Sequence, residues 1–212
     1  MIPSPTTAPA TTGRVLHWAA GYDLLVWLLT HGRSRAFRES LINLAHLAAG
    51  ESVLDVGCGT GSLAIAAKGQ VGTSGIVFGI DASPAMIARA TSKAGRAGID
   101  VSFKTAVAEA LPFPEAQFDV VLSTLMLHHL PRIPRQQCAR EIRRVLKRQG
   151  RVLVVDFAHA PSQSGFLAHF HRHGHVDPQD VVTLLEEAEL RCVESGSVGI
   201  SSLHFVRAVA AA

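Results

Sequence analysis

Apolar positions along the chain switch repeatedly between two periods, one typical of strands and one typical of helices. Runs rich in β-branched and other apolar residues, which indicate strands, occupy 52–57, 75–80, 100–105, 118–123 and 151–157. Apolar residues at helical spacing occupy 61–69, 83–97, 134–148 and 177–189. Such alternation predicts a parallel, doubly wound sheet with helices on both faces.

Both ends of the chain depart from this alternation. Two apolar runs around Val193 and Phe205 have no helical pattern between them, which predicts an antiparallel hairpin at one edge of the sheet. The complete expectation is an α/β, Rossmann-like fold with a mostly parallel sheet of seven strands. Helical patterns over 14–30 and 35–49 precede the first strand. We therefore expect a disordered lead-in at 1–13, a helical cover at 14–50 and the main domain at 51–212.

Composition narrows the class of protein. The chain has 212 residues, of which 48% are hydrophobic and 17% charged, so it can bury a core without metal or disulfides. Cys58, Cys138 and Cys192 are widely spaced and show no zinc-ligand pattern. The first residues lack the charged and apolar segments of a secretory signal, and no apolar run is long enough for a bilayer. These features favour a cytoplasmic protein.

Positive charge is concentrated in one segment, although the net charge is only +3. Between positions 132 and 151 the sequence contains a single acid, Glu141, and eight cationic residues. They are Arg132, Arg135, Arg140, Arg143, Arg144, Lys147, Arg148 and Arg151. A solvated basic helix face is the simpler interpretation. Peripheral contact with an anionic membrane or partner is the alternative.

The stretch "VLDVGCGTGSLAI", residues 53–65, reads as a strand, a glycine-rich turn and the start of a helix. Its glycines are spaced GxGxG, and Ser62 stands where a dinucleotide-binding GxGxxG loop needs its third glycine. Glycine allows close approach of backbone to a ligand, or a positive φ. Asp55, two residues before the first glycine, would repel a pyrophosphate and attract a cationic group such as an ammonium.

A second acid, Asp81, ends the next predicted strand within "GIDASPAMIARA". A carboxylate at the carboxyl end of this strand faces the ligand crevice, where it can accept hydrogen bonds from both hydroxyls of a ribose. Asp55 and Asp81 together predict an adenosine-like ribonucleoside that carries an ammonium group.

Four motifs occur in order between residues 51 and 157: "VLDVGCGTG", "GIDASPAMIARA", "AEALPFPEAQFDVVLSTLMLHHL" and "REIRRVLKRQGRVLVVDF". With them the chain resembles the class I S-adenosylmethionine-dependent methyltransferases, and among these the ubiquinone/menaquinone biosynthesis methyltransferase family. The resemblance implies that S-adenosylmethionine is the cofactor, that S-adenosylhomocysteine is its product, and that 51–212 is the methyltransferase domain.

The resemblance assigns one group of residues to the methionine half of the cofactor. The loop would pass under it, Asp55 would help to hold its ammonium, and the backbone at Ser123 and Thr124 would line its end. The loop residues concerned are Gly57, Cys58, Gly59, Thr60 and Gly61.

A second group is assigned to the adenosine half. Asp81 would take the ribose hydroxyls, and Ala82 and Met86 would form part of the adenine wall. Ala108 and Glu109 would lie beside the adenine edge. Val107 stands where the family commonly has an Asp that accepts from the adenine amino group. "KRQG" at 147–150 replaces the usual KPGG, which we expect to alter only a turn.

Methyl transfer from a sulfonium is an in-line displacement, so the protein mainly aligns the reactants and needs no metal. A phenol, enol or ammonium acceptor must also lose a proton, for which histidine titrates in the right range. His129, at the carboxyl end of the fourth strand, is the preferred base, with His128 beside it. His159, beyond the fifth strand, is an equal rival. A capping or packing role is the alternative.

Candidate substrate contacts lie in two segments. Trp18 and Tyr22 on the first predicted helix would either cover the site or pack on the body. His169 belongs to "HFHRHGH", which we interpret as a substrate-facing loop or lid. A metal site there is disfavoured, because no Cys or carboxylate is spaced to complete it.

The sequence thus favours methylation of a small, apolar or aromatic molecule: a quinone precursor, a phenol or a lipid amine. A nucleic-acid methyltransferase is the second hypothesis; the basic helix favours it, while "STLM" at 123–126 lacks the Asn/Asp-Pro-Pro-Tyr/Phe pattern of base-amine methylation. A cofactor-binding protein without catalysis, or a NAD-dependent oxidoreductase, is the third. The methyl acceptor, the atom methylated and the oligomeric state stay open.

Overall fold

A computed structural model describes residues 13, 34–158, 176–199 and 203–211. Seven strands form one sheet in the order β3-β2-β1-β4-β5-β7-β6. They are β1 Ser52–Val56, β2 Ile76–Asp81, β3 Ser102–Thr105, β4 Phe118–Thr124, β5 Leu146–Phe157, β6 Leu190–Ser197 and β7 Leu203–Ala210. β1 to β5 pair in parallel, whereas β7 is antiparallel to both β5 and β6. The predicted sheet and its edge hairpin are confirmed.

Helices pack on the two faces of this sheet. The described helices are α1 Ser34–Leu44, α2 Ser62–Val71, α3 Pro84–Ala97, α4 Arg132–Val145 and α5 Pro178–Glu187, with one 3₁₀ turn at Leu127–His129. Side chains alternate along β1: Leu54 belongs to the core that α4 and α5 complete, and Val53 to the core that α1 and α2 complete. Both faces of the central strand β1 are therefore buried, as a doubly wound sheet requires.

Local signals fix the ends of α3, one of the helices beside the candidate site. Ser83 precedes it, and its hydroxyl accepts a hydrogen bond from the N–H of Met86. Pro84 occupies the first position, where its missing N–H costs nothing. Gly98 follows the last turn with a φ of 65°, in the left-handed region that glycine tolerates. These signals explain why the predicted 83–97 is correct to one residue.

The structure corrects two predicted boundaries. The helix predicted over 134–148 ends at Val145, because Leu146 already pairs with Phe118 of β4. The expected turn at 147–150 therefore lies inside β5, at a break in register where Gln149 has a φ of 61°. The helix predicted over 35–49 ends at Leu44, and the next carbonyl, of Ala45, accepts a hydrogen bond from Arg151 at 2.6 Å.

Several predictions fall outside the described residues. They are the lead-in over 1–12, the helix over 14–30 with Trp18 and Tyr22, and the segment that contains His159 and His169. Within the described ranges, none of the helices has the length and apolar character needed to cross a membrane.

Candidate functional site

The glycine loop joins β1 to α2 at the carboxyl edge of the sheet. Gly57, Gly59 and Gly61 have φ values of 75°, 52° and 76°, which a residue with a Cβ adopts only under strain. A Cβ on Gly57 would lie 2.4 Å from the Met126 side chain, and one on Gly61 would lie 2.6 Å from that of Phe103. The sequence predicts close approach to a ligand, and the structure adds close approach to the protein's own side chains.

Asp81 connects the end of β2 to this loop. Its carboxylate accepts a hydrogen bond from the N–H of Gly59 at 3.0 Å and another from the N–H of Ser83 at 2.8 Å. Burial raises the pKa of Asp81, and these two backbone hydrogen bonds oppose that rise. A carboxylate has about four acceptor positions, so both oxygens keep capacity for further donors such as ribose hydroxyls.

Asp55 is the most unusual charge in the site. It lies on β1 with 2% of its surface exposed, and its Oδ2 atom has no hydrogen-bond partner within the described residues. Burial and, next, the negative charge of Asp81 raise the pKa of Asp55 to about 7, although a hydrogen bond from the backbone of Ala64 lowers it. An unpaired buried carboxylate oxygen is costly unless a cation or donor meets it. This oxygen therefore fits an ammonium group.

A cavity of about 320 Å³ separates the glycine loop from α1. Asp55, Gly57, Cys58, Thr60 and Thr124 line it, so the structure brings together most residues that the sequence assigns to the methionine half of the cofactor. Phe37 and Leu41 contribute apolar walls from α1. Helix α1 lies within the range 14–50, whose role as a cover stays a prediction.

Ser123 and Thr124 add two more buried polar atoms at this edge. The hydroxyl oxygens of both side chains have no hydrogen-bond partner in the part of the chain that the structure describes. Only Thr124 lines the cavity. Both residues lie at the end of β4, next to the loop after β1, and their role at the methionyl end of the site stays a prediction.

The residues assigned to the adenosine half lie outside the cavity lining, at the end of β2, in the first turn of α3 and on the loops after β2 and β3. The N–H of Ala106 bonds the carbonyl of Asp81 at 3.1 Å and so joins these two loops. Met86, Val107 and Ala108 are buried, whereas Ala82 and Glu109 are half-buried. The two halves of the predicted site thus meet at Asp81.

His128 forms a short contact with a buried carboxylate at this edge. Its Nδ1 lies 2.6 Å from Oδ1 of Asp156, and its backbone N–H donates to Oδ2 of the same carboxylate at 3.1 Å. The N–H of Phe157 donates to Asp156 as well, at 2.8 Å. The His129 ring packs on the His128 ring with centroids 3.9 Å apart. Sequence reasoning ranks His129 first, but the carboxylate contact belongs to His128.

Two groups in the site escaped the sequence analysis. Asp156 is 4% exposed near the end of the apolar strand β5, and an acid within the run "RVLVVDF" is the signal that could have found it. Lys93 lines the cavity from α3 and donates to the hydroxyls of Thr60 and Ser62. Lys93 gives no comparable signal in the sequence, because a lysine on the polar face of a helix is common and Ser62 lies 31 positions away.

The basic segment proves to be partly neutralised within the chain. Arg144 pairs with Glu141 at 2.7 Å, Lys147 with Asp119 at 2.8 Å and Arg151 with Glu51 at 2.7 Å. These contacts lower the pKa of all three carboxyl groups, against the effect of burial. Three of the eight cations are therefore paired with carboxylates, which reduces the positive charge of this surface. Membrane contact stays a prediction.

Comparison with known proteins shows which methyltransferases the chain resembles. Residues 53–150 match the family described as "Methyltransferase domain". The chain is 36% identical over 161 residues to the 27-O-demethylrifamycin SV methyltransferase of Amycolatopsis mediterranei, covering 74% of this chain and 58% of that protein. It is 37% identical over 142 residues to the ubiquinone/menaquinone biosynthesis C-methyltransferase UbiE of Hahella chejuensis, covering 66% and 56%. It thus spans less than two thirds of these relatives.

Solved structures agree on the fold. A SAM dependent methyltransferase from Aquifex aeolicus superposes with a TM-score of 0.71 at 24% identity, covering 81% of this chain and 88% of that one. The cyclase SpnF gives the same TM-score at 19% identity, covering 84% and 82%. At these identities the likeness concerns the fold alone, and the second neighbour shows that the fold by itself does not fix the reaction.

The residues present fit S-adenosylmethionine, the cofactor that this domain implies. The unpartnered oxygen of Asp55 suits its ammonium, and the remaining acceptor capacity of Asp81 suits its ribose. Residues 53–150 thus match a methyltransferase domain, the fold is like that of solved methyltransferases, and the sequence resembles the ubiquinone/menaquinone biosynthesis C-methyltransferases.

Proposed function

We propose that this chain transfers a methyl group from S-adenosylmethionine to a small, apolar or aromatic molecule that loses a proton in the reaction. The observation that carries the proposal is the pair formed by His128 and Asp156, 2.6 Å apart at the same sheet edge as the cofactor cavity. Bound S-adenosylmethionine would supply a methyl group on a sulfonium, whose sulfur keeps the bonding electron pair and departs as the neutral thioether of S-adenosylhomocysteine.

Positioning is the first task of the chain's own residues. Asp55 would hold the ammonium of the cofactor and Asp81 its ribose hydroxyls, while Val107, Ala108 and Glu109 would lie near the adenine. Holding the cofactor at both ends fixes the direction in which its methyl group points. An in-line displacement gains most of its acceleration from such alignment and from exclusion of water.

Deprotonation of the acceptor is the second task. Because the carboxylate of Asp156 can only accept, the 2.6 Å contact places the proton of neutral His128 on Nδ1. Nε2 is then the acceptor nitrogen, available for a hydroxyl proton of the substrate. The backbone N–H groups of His128 and Phe157 hold Asp156, which in turn fixes the ring. His129 and His159 remain alternative bases.

Two observations favour an apolar or aromatic acceptor. Phe37 and Leu41 give the cavity apolar walls. The relatives' names refer to a rifamycin and to ubiquinone or menaquinone biosynthesis, which are small-molecule contexts. A phenol or quinol meets both the apolar walls and the need for a dissociable proton, so it is the preferred class over a lipid amine.

A substrate screen tests this function. Wild-type protein, S-adenosylmethionine and a panel of phenols, quinols and lipid amines are combined, and mass spectrometry detects the added methyl group. We expect methylated phenols or quinols, with turnover strongly reduced in His128→Gln and retained in His46→Gln, a matched change at an exposed histidine. Cofactor binding without methylation of any acceptor in the panel would contradict the proposed reaction and favour a binding protein without catalysis.

A further inference from the structure

We propose that Arg135 is a positioning residue for methyl transfer: it fixes the peptide unit between Leu127 and His128, and with it the direction of the His128 ring. The inference rests on the proposed function, because it takes His128 as the base that accepts the proton of the substrate. Arg135 belongs to α4 and is one of the eight cations of the basic segment. It is half-buried, so a solvated helix face does not account for it.

The side chain of Arg135 reaches back from the first turn of α4 to the 3₁₀ turn that precedes the helix. Its Nε donates to the carbonyl oxygen of Leu127 at 2.9 Å. The same oxygen accepts a hydrogen bond from the N–H of Leu130 at 3.0 Å, which is the bond that closes the 3₁₀ turn. A carbonyl oxygen has two lone pairs, and both are therefore used. The turn is thus closed on itself and tied to α4.

Asp156 holds the opposite end of the same peptide unit. The C=O of Leu127 and the N–H of His128 lie in one planar peptide and point in opposite directions. Arg135 donates to that oxygen, and Oδ2 of Asp156 accepts from that N–H at 3.1 Å. The peptide plane cannot turn without breaking one of these two hydrogen bonds. Because the plane sets the position of the His128 Cα atom, the two contacts together determine where the imidazole ring lies.

Opposite charges at the two ends of this peptide reinforce the arrangement. A hydrogen bond to a charged group is stronger than one between neutral groups, and hydrogen bonds in a chain polarise one another. Burial lowers the pKa of Arg135, while the negative charges of Asp156 and then Asp180 oppose that effect. The guanidinium therefore lies within the field of Asp156. Loss of Arg135 would remove a hydrogen bond from the turn and a positive charge from the surroundings of the carboxylate.

Two variants and two measurements separate positioning from a merely structural role. Arg135→Met removes the donor and the charge but keeps the apolar stem, whereas Arg135→Lys keeps the charge and a donor. Arg140→Met, at an exposed position of the same helix, controls for the loss of one positive charge. Steady-state kinetics use the acceptor with the highest turnover in the substrate screen. NMR measures hydrogen exchange at the N–H of His128, with Val121 in the buried part of β4 as the reference for global stability.

We expect kcat of Arg135→Met to fall by about tenfold or more, because a small misplacement of the base is costly, while its KM for S-adenosylmethionine stays near the wild-type value. Hydrogen exchange should become faster at His128 and stay unchanged at Val121. Arg135→Lys should show smaller changes of the same kind, and Arg140→Met none.

An unchanged kcat in Arg135→Met, or equally accelerated exchange at His128 and Val121, would overturn the inference while the proposed function stands. If Arg135→Met does not fold, Arg135→Lys decides in the same way, by its kcat and by exchange at His128 relative to Val121. A wild type that methylates no acceptor contradicts the proposed function itself, and the positioning role with it.

Discussion

Asp55 and Asp81 lie on neighbouring strands, and the negative charge of Asp81 adds to burial in raising the pKa of Asp55 to about 7. The two acids have different surroundings. Asp81 accepts hydrogen bonds from Gly59 and Ser83, whereas Oδ2 of Asp55 has no partner among the described residues. Without a ligand, the protein thus holds a carboxyl group that is about half ionised near neutral pH, and a cationic ligand would complete its ionisation.

Cofactor binding should therefore depend on pH. Below pH 7 Asp55 is protonated in the free protein, and an ammonium-bearing ligand must displace that proton. The affinity for S-adenosylhomocysteine should rise with pH by up to about tenfold per unit below 7 and level off above it. Calorimetry across pH 5.5 to 8.5 measures the trend, and Asp55→Asn should flatten it.

Ionisation of Asp55 should also lower the stability of the ligand-free protein. The folded-state pKa of Asp55 lies above its value in an unfolded chain, so folding loses stability as pH rises from about 4 to about 7. Asp55→Asn removes this loss and should stabilise the free protein at pH 8 by about 2 to 4 kcal/mol, with no gain at pH 4. Urea unfolding at the two pH values measures the difference. A destabilised variant at pH 8 would show that Asp55 is paired.

The glycine loop should not tolerate a side chain at Gly57. Alanine there must adopt a φ of 75° and would collide with Met126, so we expect a loss of about 1 to 3 kcal/mol of stability and weaker cofactor binding. Gly69 on α2 is a matched control, because an added Cβ there meets nothing within 4 Å. Gly69→Ala should stabilise the protein by about 0.5 to 1 kcal/mol. Thermal unfolding of both variants makes the comparison.

The pairing of His128 with Asp156 should appear in the pH profile of methyl transfer. Asp156→Asn removes the carboxylate that fixes Nδ1 of the ring, so kcat should fall by about 10²-fold or more, as for loss of an oriented general base. Its KM for S-adenosylmethionine should stay near the wild-type value, since Asp156 does not line the cavity. A raised KM with an unchanged kcat would instead indicate that Asp156 has a packing role. His129 or His159 would then become the preferred candidate for the general base.

Local periodicity and short motifs predict most of this fold. The alternation of apolar runs predicts the seven strands correctly, and the loop motif with Asp55 and Asp81 predicts a cofactor site that binding experiments must test. The sequence analysis did not predict the break in β5. Its residues Lys147–Gly150 resemble the end of a helix followed by a turn, and only the pairing of Leu146 with Phe118 makes them part of the strand. Asp156 and Lys93 escaped because their partners are distant in sequence: His128 lies 28 positions from Asp156, and Thr60 lies 33 positions from Lys93. Only the folded chain brings such pairs together.

The central claim, that the crevice at the ends of β1 and β2 holds an S-adenosyl nucleoside, is tested most directly by calorimetric titration with S-adenosylhomocysteine. The wild type should bind one equivalent, and NAD should not bind in its place. Asp81→Ala should weaken S-adenosylhomocysteine binding by about 1 to 3 kcal/mol, whereas Asp100→Ala, at an exposed acid, should leave it unchanged. Absence of binding by the wild type, or equal affinity in Asp81→Ala, would contradict the claim.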